Sequence, residues 1–161
     1  MDSLDLKIIE KLSQNARKSF RQIAKELDVS MSTVSNRVKA LEKEGIIIGY
    51  APIIDSQKLG YDILVLIFVR ITRGRLMEVQ NKIAEHEKVI SVYDMTGDWD
   101  SLVMARFKTR TEVNNFVKNV MNSPFIERTN TQMVLNVVKE ESRLLLPGNT
   151  GRAIGTRGRG F

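Results

Sequence analysis

Residues 19–45 read SFRQIAKELDVSMSTVSNRVKALEKEG, and that stretch predicts two amphipathic helices joined by a tight turn. Ser19, with Gln22 three residues on, has the spacing of a capping box, in which each side chain satisfies a backbone N–H of the other residue. Ile23, Ala24 and Leu27 then line one helical face. Asp28-Val29 interrupts the helix, and Ser30 opens the next. There Val34, Val38 and Leu41 recur a turn apart and face inward, until Gly45 supplies the stop. At about 100° per residue the opposite side carries Ser32, Asn36, Lys39 and Lys43, with Ser35 on its flank. Short hydroxyl and amide side chains near a helix N-terminus reach base edges in a major groove, and lysines further along reach phosphates. A plain solvated face has the same polarity. The helix-turn-helix spacing beside it favours DNA reading.

Working outward, Leu4, Ile8, Ile9 and Leu12 predict a first amphipathic helix that shares a core with the two that follow. Asn15 to Lys18 is a polar connection. Ile46 to Tyr50 is β-prone and reads as a wing or small strand beside the helices. Pro52 marks a boundary, because proline cannot donate to a ladder and pushes the residue before it out of helical geometry. The expected organisation is a winged helix-turn-helix, three-helix domain over 1–51, then a linker over 52–60.

From Tyr61 the pattern changes. The reading is a strand from Tyr61 to Ile71, a helix from Leu76 to Glu87, and strands from Val89 to Met95 and Ser101 to Phe107. A second helix is capped by Thr109 and Glu112 and carries Val113, Phe116, Val117, Val120 and Met121 on one face. Pro124 ends it, and a fourth strand is read from Thr131 to Val138. This βαββαβ order is the ferredoxin-like arrangement, so the fold class is α+β, with the second domain over 61–141. Its helices cover one sheet face, yet several strands are apolar in both directions. The second face is expected to be buried against another copy, giving at least a dimer, with cover by the N-terminal domain as the alternative. Residues 142–161 form a basic Gly/Arg-rich tail. It is read either as a non-specific phosphate contact or as a flexible terminus.

Composition narrows the function classes. The chain has 161 residues, a net charge of +6 and 42% hydrophobic content, ordinary for a globular protein whose basic balance suits an acidic partner. Without cysteine, and with His86 as the single histidine, disulfides and Cys/His metal sites are not expected. No secretory signal is visible, and the longest apolar run, Ile63 to Val69, is far too short to span a bilayer, so no membrane partner and a cytoplasmic location are expected. There is no nucleophile motif and no phosphate-binding loop, which argues against an enzyme and names no cofactor. The loop Thr96-Gly97-Asp98-Trp99-Asp100 suits a zwitterion: Gly97 lets backbone N–H groups approach a carboxylate, and Asp98 or Asp100 accepts from an ammonium group. It reads equally well as a hairpin turn. Thr129 and Thr131 share one strand face, where two hydroxyls can orient a polar ligand or simply favour β structure.

The run LDLKIIEKLSQNAR, then residues 19–47, then the βαββαβ half with TGDWD between its middle strands, resembles the Lrp/AsnC family, the feast/famine regulators, over about residues 2–140. The resemblance implies a DNA-binding transcriptional regulator modulated by an amino acid, dimeric through its C-terminal sheets and often octameric, with the effector near interfaces between dimers. By position, Ser32, Thr33, Ser35, Asn36 and Arg37 match the recognition helix. Gly97, Asp98 and Asp100 match the effector loop, and Thr129 and Thr131 match strand residues near the ligand. Trp99 departs from the family pattern, where a smaller ring such as tyrosine is often found, and the Gly/Arg tail lies outside it. Double-stranded DNA, an amino-acid effector and further copies of the chain are thus the expected partners. The rival reading is an architectural protein that coats DNA with little sequence preference.

Overall fold

Asp2 starts the first helix. Its carboxylate accepts the N–H groups of Leu4 and Asp5, while the Asp5 carboxylate reaches back to the Asp2 N–H at 2.7 Å. The helix so capped, α1, spans Ser3–Gln14. The Ser19–Gln22 capping box forms as read and opens α2, Phe20–Leu27, which stops at Asp28 in the left-handed region, φ 53°. Ser30 caps α3, Met31–Lys43, and Gly45 ends it at φ 71°. A β-carbon is disfavoured at that angle, so the glycine has a physical reason to be there. Ile8, Leu12, Ile23, Ala24, Val34 and Val38 close a core joined by Leu4, Phe20, Leu27, Val29 and Ile47. Each aliphatic side chain fully buried in it contributes roughly 1.5–3 kcal/mol.

The computed structural model describes residues 1–141, so the basic tail read over 142–161 lies outside the described residues. The chain divides into two compact units, one of Met1–Ile53 and one of Ile54–Val137. Within the stretch read as a linker, Gln57–Leu59 forms a single 3₁₀ turn, ended by Gly60 at φ 81°.

In the second unit the elements are β1 (Ile63–Ile71), α4 (Leu76–Ala84), β2 (Val89–Asp94), β3 (Ser101–Phe107), α5 (Arg110–Asn119) and β4 (Ile126–Met133). The antiparallel sheet has the order β2-β3-β1-β4, so the βαββαβ reading holds. Val65, Ile67, Val69 and Ile71 of β1 and Val103, Ala105 and Phe107 of β3 are buried with Val79 and Ile83 of α4 and Val113 and Phe116 of α5. Between these layers the Gln80 amide donates to Ser101 Oγ at 2.6 Å, with both residues buried. On the other sheet face Leu66 pairs with Met104 and Phe68 with Leu102, all four only partly buried. Apolar side chains in both directions, as expected, therefore hold for β1 and β3.

Three expectations are corrected. Residues 46–50 form no strand: the Ile46 and Ile47 N–H groups turn back to the Leu41 carbonyl, and Ile47 joins the helical core. An extended segment needs a partner for its ladder, and this one finds none among the described residues. The fourth strand begins at Ile126 rather than Thr131 and ends at Met133, because its register runs from Ile71 opposite Ile126 to Val65 opposite Met133. Beyond it the Val134 N–H still donates to the Leu64 carbonyl of β1, and Leu135 and Val138 are 97% and 80% exposed. His86, expected at the surface, is half-buried, with its ring edge-on to Phe116 at 4.7 Å and Nδ1 accepting the Lys88 N–H.

Candidate nucleic-acid interface and effector loop

Helix α3 turns Val34, Val38 and Leu41 inward, which leaves Ser32, Asn36, Lys39 and Lys43 exposed on the opposite side and Thr33 and Ser35 at the margins. Ser30 works chiefly as the cap. Its hydroxyl accepts the Thr33 N–H at 3.0 Å and lies 2.7 Å from Ser32 Oγ and 2.8 Å from Thr33 Oγ1. This links the three hydroxyls at the helix N-terminus, where backbone N–H groups and the helix dipole favour an anion. Met31, 53% exposed at the first helical position, is an apolar neighbour of this face that the polar pattern did not single out.

Arg37, grouped with the recognition residues by position, is engaged elsewhere. Its Nη1 lies 2.7 Å from Asp2 Oδ2 and 3.2 Å from Asp5 Oδ1, which ties α3 to the cap of α1. The cause is geometric. Arg37 stands about 60° round the helix from Val34, on the shoulder of the buried face rather than on the outward stripe. Asp5 is only 6% exposed and requires a charged or hydrogen-bonding partner. The Asp5 N–H, and then Arg37, hold the Asp2 carboxyl below its ordinary range, while Asp2 raises Arg37. Lys18 and Lys11 lower Glu26 in the same way, each through an ion pair that joins α2 to a neighbouring segment.

In the second unit, residues 96–100 connect β2 to β3. The Met95 N–H donates to the Asp100 carbonyl, the Asp100 N–H donates to the Val69 carbonyl, and Gly97 sits at φ 107°. The two aspartates differ in role. Asp100 Oδ2 accepts the Ile71 N–H at 2.7 Å and lies 3.7 Å from Arg70 Nε, so it pins the loop to β1. Asp98 is exposed, and its carbonyl accepts from Arg70 Nη1 at 2.9 Å. Trp99 leans on Phe68 with ring centroids 6.1 Å apart, and the Arg128 guanidinium lies 4.5 Å from the indole centroid. Arg70, Asp98, Glu127 and Arg128 line a shallow recess of about 410 Å³.

Thr129 and Thr131 share a face, as read, but it is the helix-bearing one, since they lie opposite Val69 and Ile67. Arg128 and Asn130, opposite Arg70 and Phe68, occupy the open face with the recess. The fold therefore brings the loop together with Arg70, Glu127 and Arg128, and sets the threonines on the other side of β4. Arg70 had a visible signal, as the one charge in the apolar run Ile63 to Ile71. Glu127 had none, because it enters through an irregularity between Arg70 and Ile71 in the pairing of β1 with β4. Among the described residues no three His, Asp or Glu side chains gather as a metal site, and no helix is long and apolar enough to cross a membrane.

A three-helix unit presenting a polar helix face, joined to a βαββαβ unit with a recess at its β2–β3 loop, defines a two-part regulator: a DNA-binding half and a ligand-binding half. The chain matches the winged helix-turn-helix DNA-binding model over residues 1–48 and the Lrp/AsnC ligand binding domain over residues 64–144. An uncharacterized HTH-type transcriptional regulator of Pyrococcus abyssi is 42% identical over 89% of this chain and 98% of its own length. The HTH-type transcriptional regulator FL11 of Pyrococcus furiosus is 35% identical over 89% of this chain and 95% of its own. AsnC of E. coli superposes with a TM-score of 0.83 at 25% identity, over 89% of this chain and 97% of that one. A Neisseria meningitidis transcriptional regulator in complex with L-Met shares the fold, with a TM-score of 0.84 at 24% identity over 91% and 97%. The chain belongs to the Lrp/AsnC family of HTH-type transcriptional regulators. The family consists of regulators, not enzymes.

Proposed function

We propose that this chain binds operator DNA sequence-specifically through α3 and that an amino acid bound at the 96–100 loop modulates that binding. The observation that carries the reading is the outward face of α3, with Ser32, Asn36, Lys39 and Lys43 exposed and no large apolar residue among them. Ser32, Ser35 and Asn36 read base edges, with Ser30 and Thr33 shaping the helix N-terminus beside them. Lys39 and Lys43 hold phosphates, and Arg37 fixes the angle of the helix. The loop of Thr96, Gly97, Asp98, Trp99 and Asp100 is the effector site in this reading, while Thr129 and Thr131, on the helix-bearing face of β4, stand apart from it. The bound L-Met of the Neisseria regulator supports an amino acid as the ligand class.

The half-buried apolar row on the open sheet face, Leu66, Phe68, Leu102 and Met104, supports a symmetric dimer, with dimers assembling further toward an octamer. A two-fold dimer presents two α3 helices to half-sites about one helical turn apart, and ligand alters how dimers stack and hence their spacing. Selection of bound fragments from a random duplex pool tests the DNA part. Enrichment of a two-fold symmetric motif with that spacing is expected. A pool that stays random after several rounds would favour the architectural reading.

A further inference from the structure

Helix α3 begins with a methionine that its own unit does not bury. Met31 is 53% exposed, and the core of the three helices is completed without it. It stands about 60° round the helix from Val34, on the shoulder of the buried face that adjoins Ser35; Arg37 occupies the other shoulder. The two shoulders are used differently. Arg37 is tied back to Asp2 and Asp5, whereas Met31 lies at the very start of the helix. Side chains on a helix lean toward its N-terminus, so Met31 extends past the first turn rather than back along the helix. Its polar neighbours are engaged with one another: Ser30 Oγ lies 2.7 Å from Ser32 Oγ and 2.8 Å from Thr33 Oγ1, and it accepts the Thr33 N–H. The leading end of α3 thus offers a linked set of hydroxyls and, beside them, an unbranched apolar chain.

We propose that Met31 is a specificity-determining residue that packs against the C5-methyl group of a thymine in the major groove. The inference rests on the reading of α3 as the DNA-recognition helix, and it adds to that reading a residue outside the polar stripe. In this docking mode the N-terminal residues of the recognition helix lie nearest the base edges, so the first helical position is among those that reach them. The major-groove edges of the four bases carry hydrogen-bond donors and acceptors, and the thymine methyl is the one apolar group among them. A thioether is only a weak acceptor. Over the amino group of cytosine or the acceptors of guanine it would displace water without replacing the lost hydrogen bonds. Against a methyl it gives up nothing and removes apolar surface from water on both sides. Methionine suits this contact, since its three rotatable bonds let it follow a methyl whose place is fixed by the docking of the helix.

The test uses the duplex selected from the random pool. Each thymine of one half-site is replaced in turn by deoxyuridine, which removes the C5-methyl and leaves every hydrogen-bonding group in place. Affinity is then measured for the full unmodified chain and for Met31→Ala. Loss of one methyl contact corresponds to a weakening of about fourfold. One thymine should show that penalty with the unmodified chain and none with Met31→Ala, while Met31→Leu, which keeps an apolar chain, should retain part of it. A variant disturbed only in its fold would bind both duplexes more weakly and keep the penalty. If a motif is selected and no thymine in it shows the penalty, or the penalty persists in Met31→Ala, Met31 does not read a methyl, and specific reading by α3 stands without it. If no motif is selected, sequence-specific reading fails and this inference fails with it. Should Met31→Ala not fold, Met31→Gln, with a polar end on a chain of similar length, takes its place in the comparison.

Discussion

Asn36 and Lys39 stand on one face of α3 and are assigned opposite kinds of contact. On the proposed assignment Asn36 makes a two-point contact to a base edge, so replacing it with Ala should relax discrimination at one position of the site by about 1–3 kcal/mol. Replacing Lys39 with Ala should weaken all sites alike and lower the slope of log affinity against log salt by about 0.9. Binding to the selected duplex and its single-mismatch variants at several salt concentrations reads both effects; the reverse pattern would mean the helix is rotated from this assignment. Acid provides a second test at this scale. The Asp2 and Glu26 carboxyls lie below their ordinary values of 3.8 and 4.5, so the unfolded chain takes up these protons before the folded one does. Their contribution to stability is complete above the ordinary carboxylate range and fades as pH falls through the lowered folded values. Melting midpoints should drop on acidification through that window, and Asp2→Asn with Glu26→Gln should flatten the drop. The exposed stripe of α3 was legible from periodicity alone. Arg37 was not, because its partners Asp2 and Asp5 are more than thirty residues away in the chain, and only the packing of α1 on α3 joins them.

At the scale of elements, the bond between Gln80 of α4 and Ser101 of β3 is a polar tie inside an apolar layer. Ser101→Ala leaves the Gln80 amide buried without its partner and should cost about 1–3 kcal/mol in denaturant unfolding. A change within a few tenths would mean that Gln80 finds another acceptor. The helices of the first unit, α5 and the strand β3 were readable because each carries its own period, and Ser19, Ser30 and Thr109 cap α2, α3 and α5 as expected. The fourth strand was misplaced for an equally physical reason. Met133 to Val138 is the more apolar stretch, but strand pairing follows the length of the partner, and β1 offers its ladder to Ile126–Met133. That shift also moved Arg128 and Glu127 into view as recess residues. Edge strands with polar side chains carry a weak sequence signal, since one ladder of hydrogen bonds rather than burial holds them.

At the scale of the whole molecule, the open sheet face should control assembly. Phe68→Asp puts a charge into the centre of the apolar row formed with Leu66, Leu102 and Met104, and sedimentation should then show monomers where the unmodified chain shows dimers or larger species. Assembly unchanged by that substitution would place the interface elsewhere. If two α3 helices act together through the proposed dimer, the same variant should bind a two-fold site no better than a half-site. Whether the chain reads sequence at all is decided most directly by competition for the protein between duplex from upstream of its own coding region and a scrambled duplex of equal length, at about 0.15 M salt and again at higher salt. The natural duplex should compete at least about a hundredfold better and keep its advantage as salt rises, because base contacts discriminate while phosphate contacts set the common slope. Equal competition at every salt concentration, with both affinities falling steeply together, would contradict sequence-specific reading by α3.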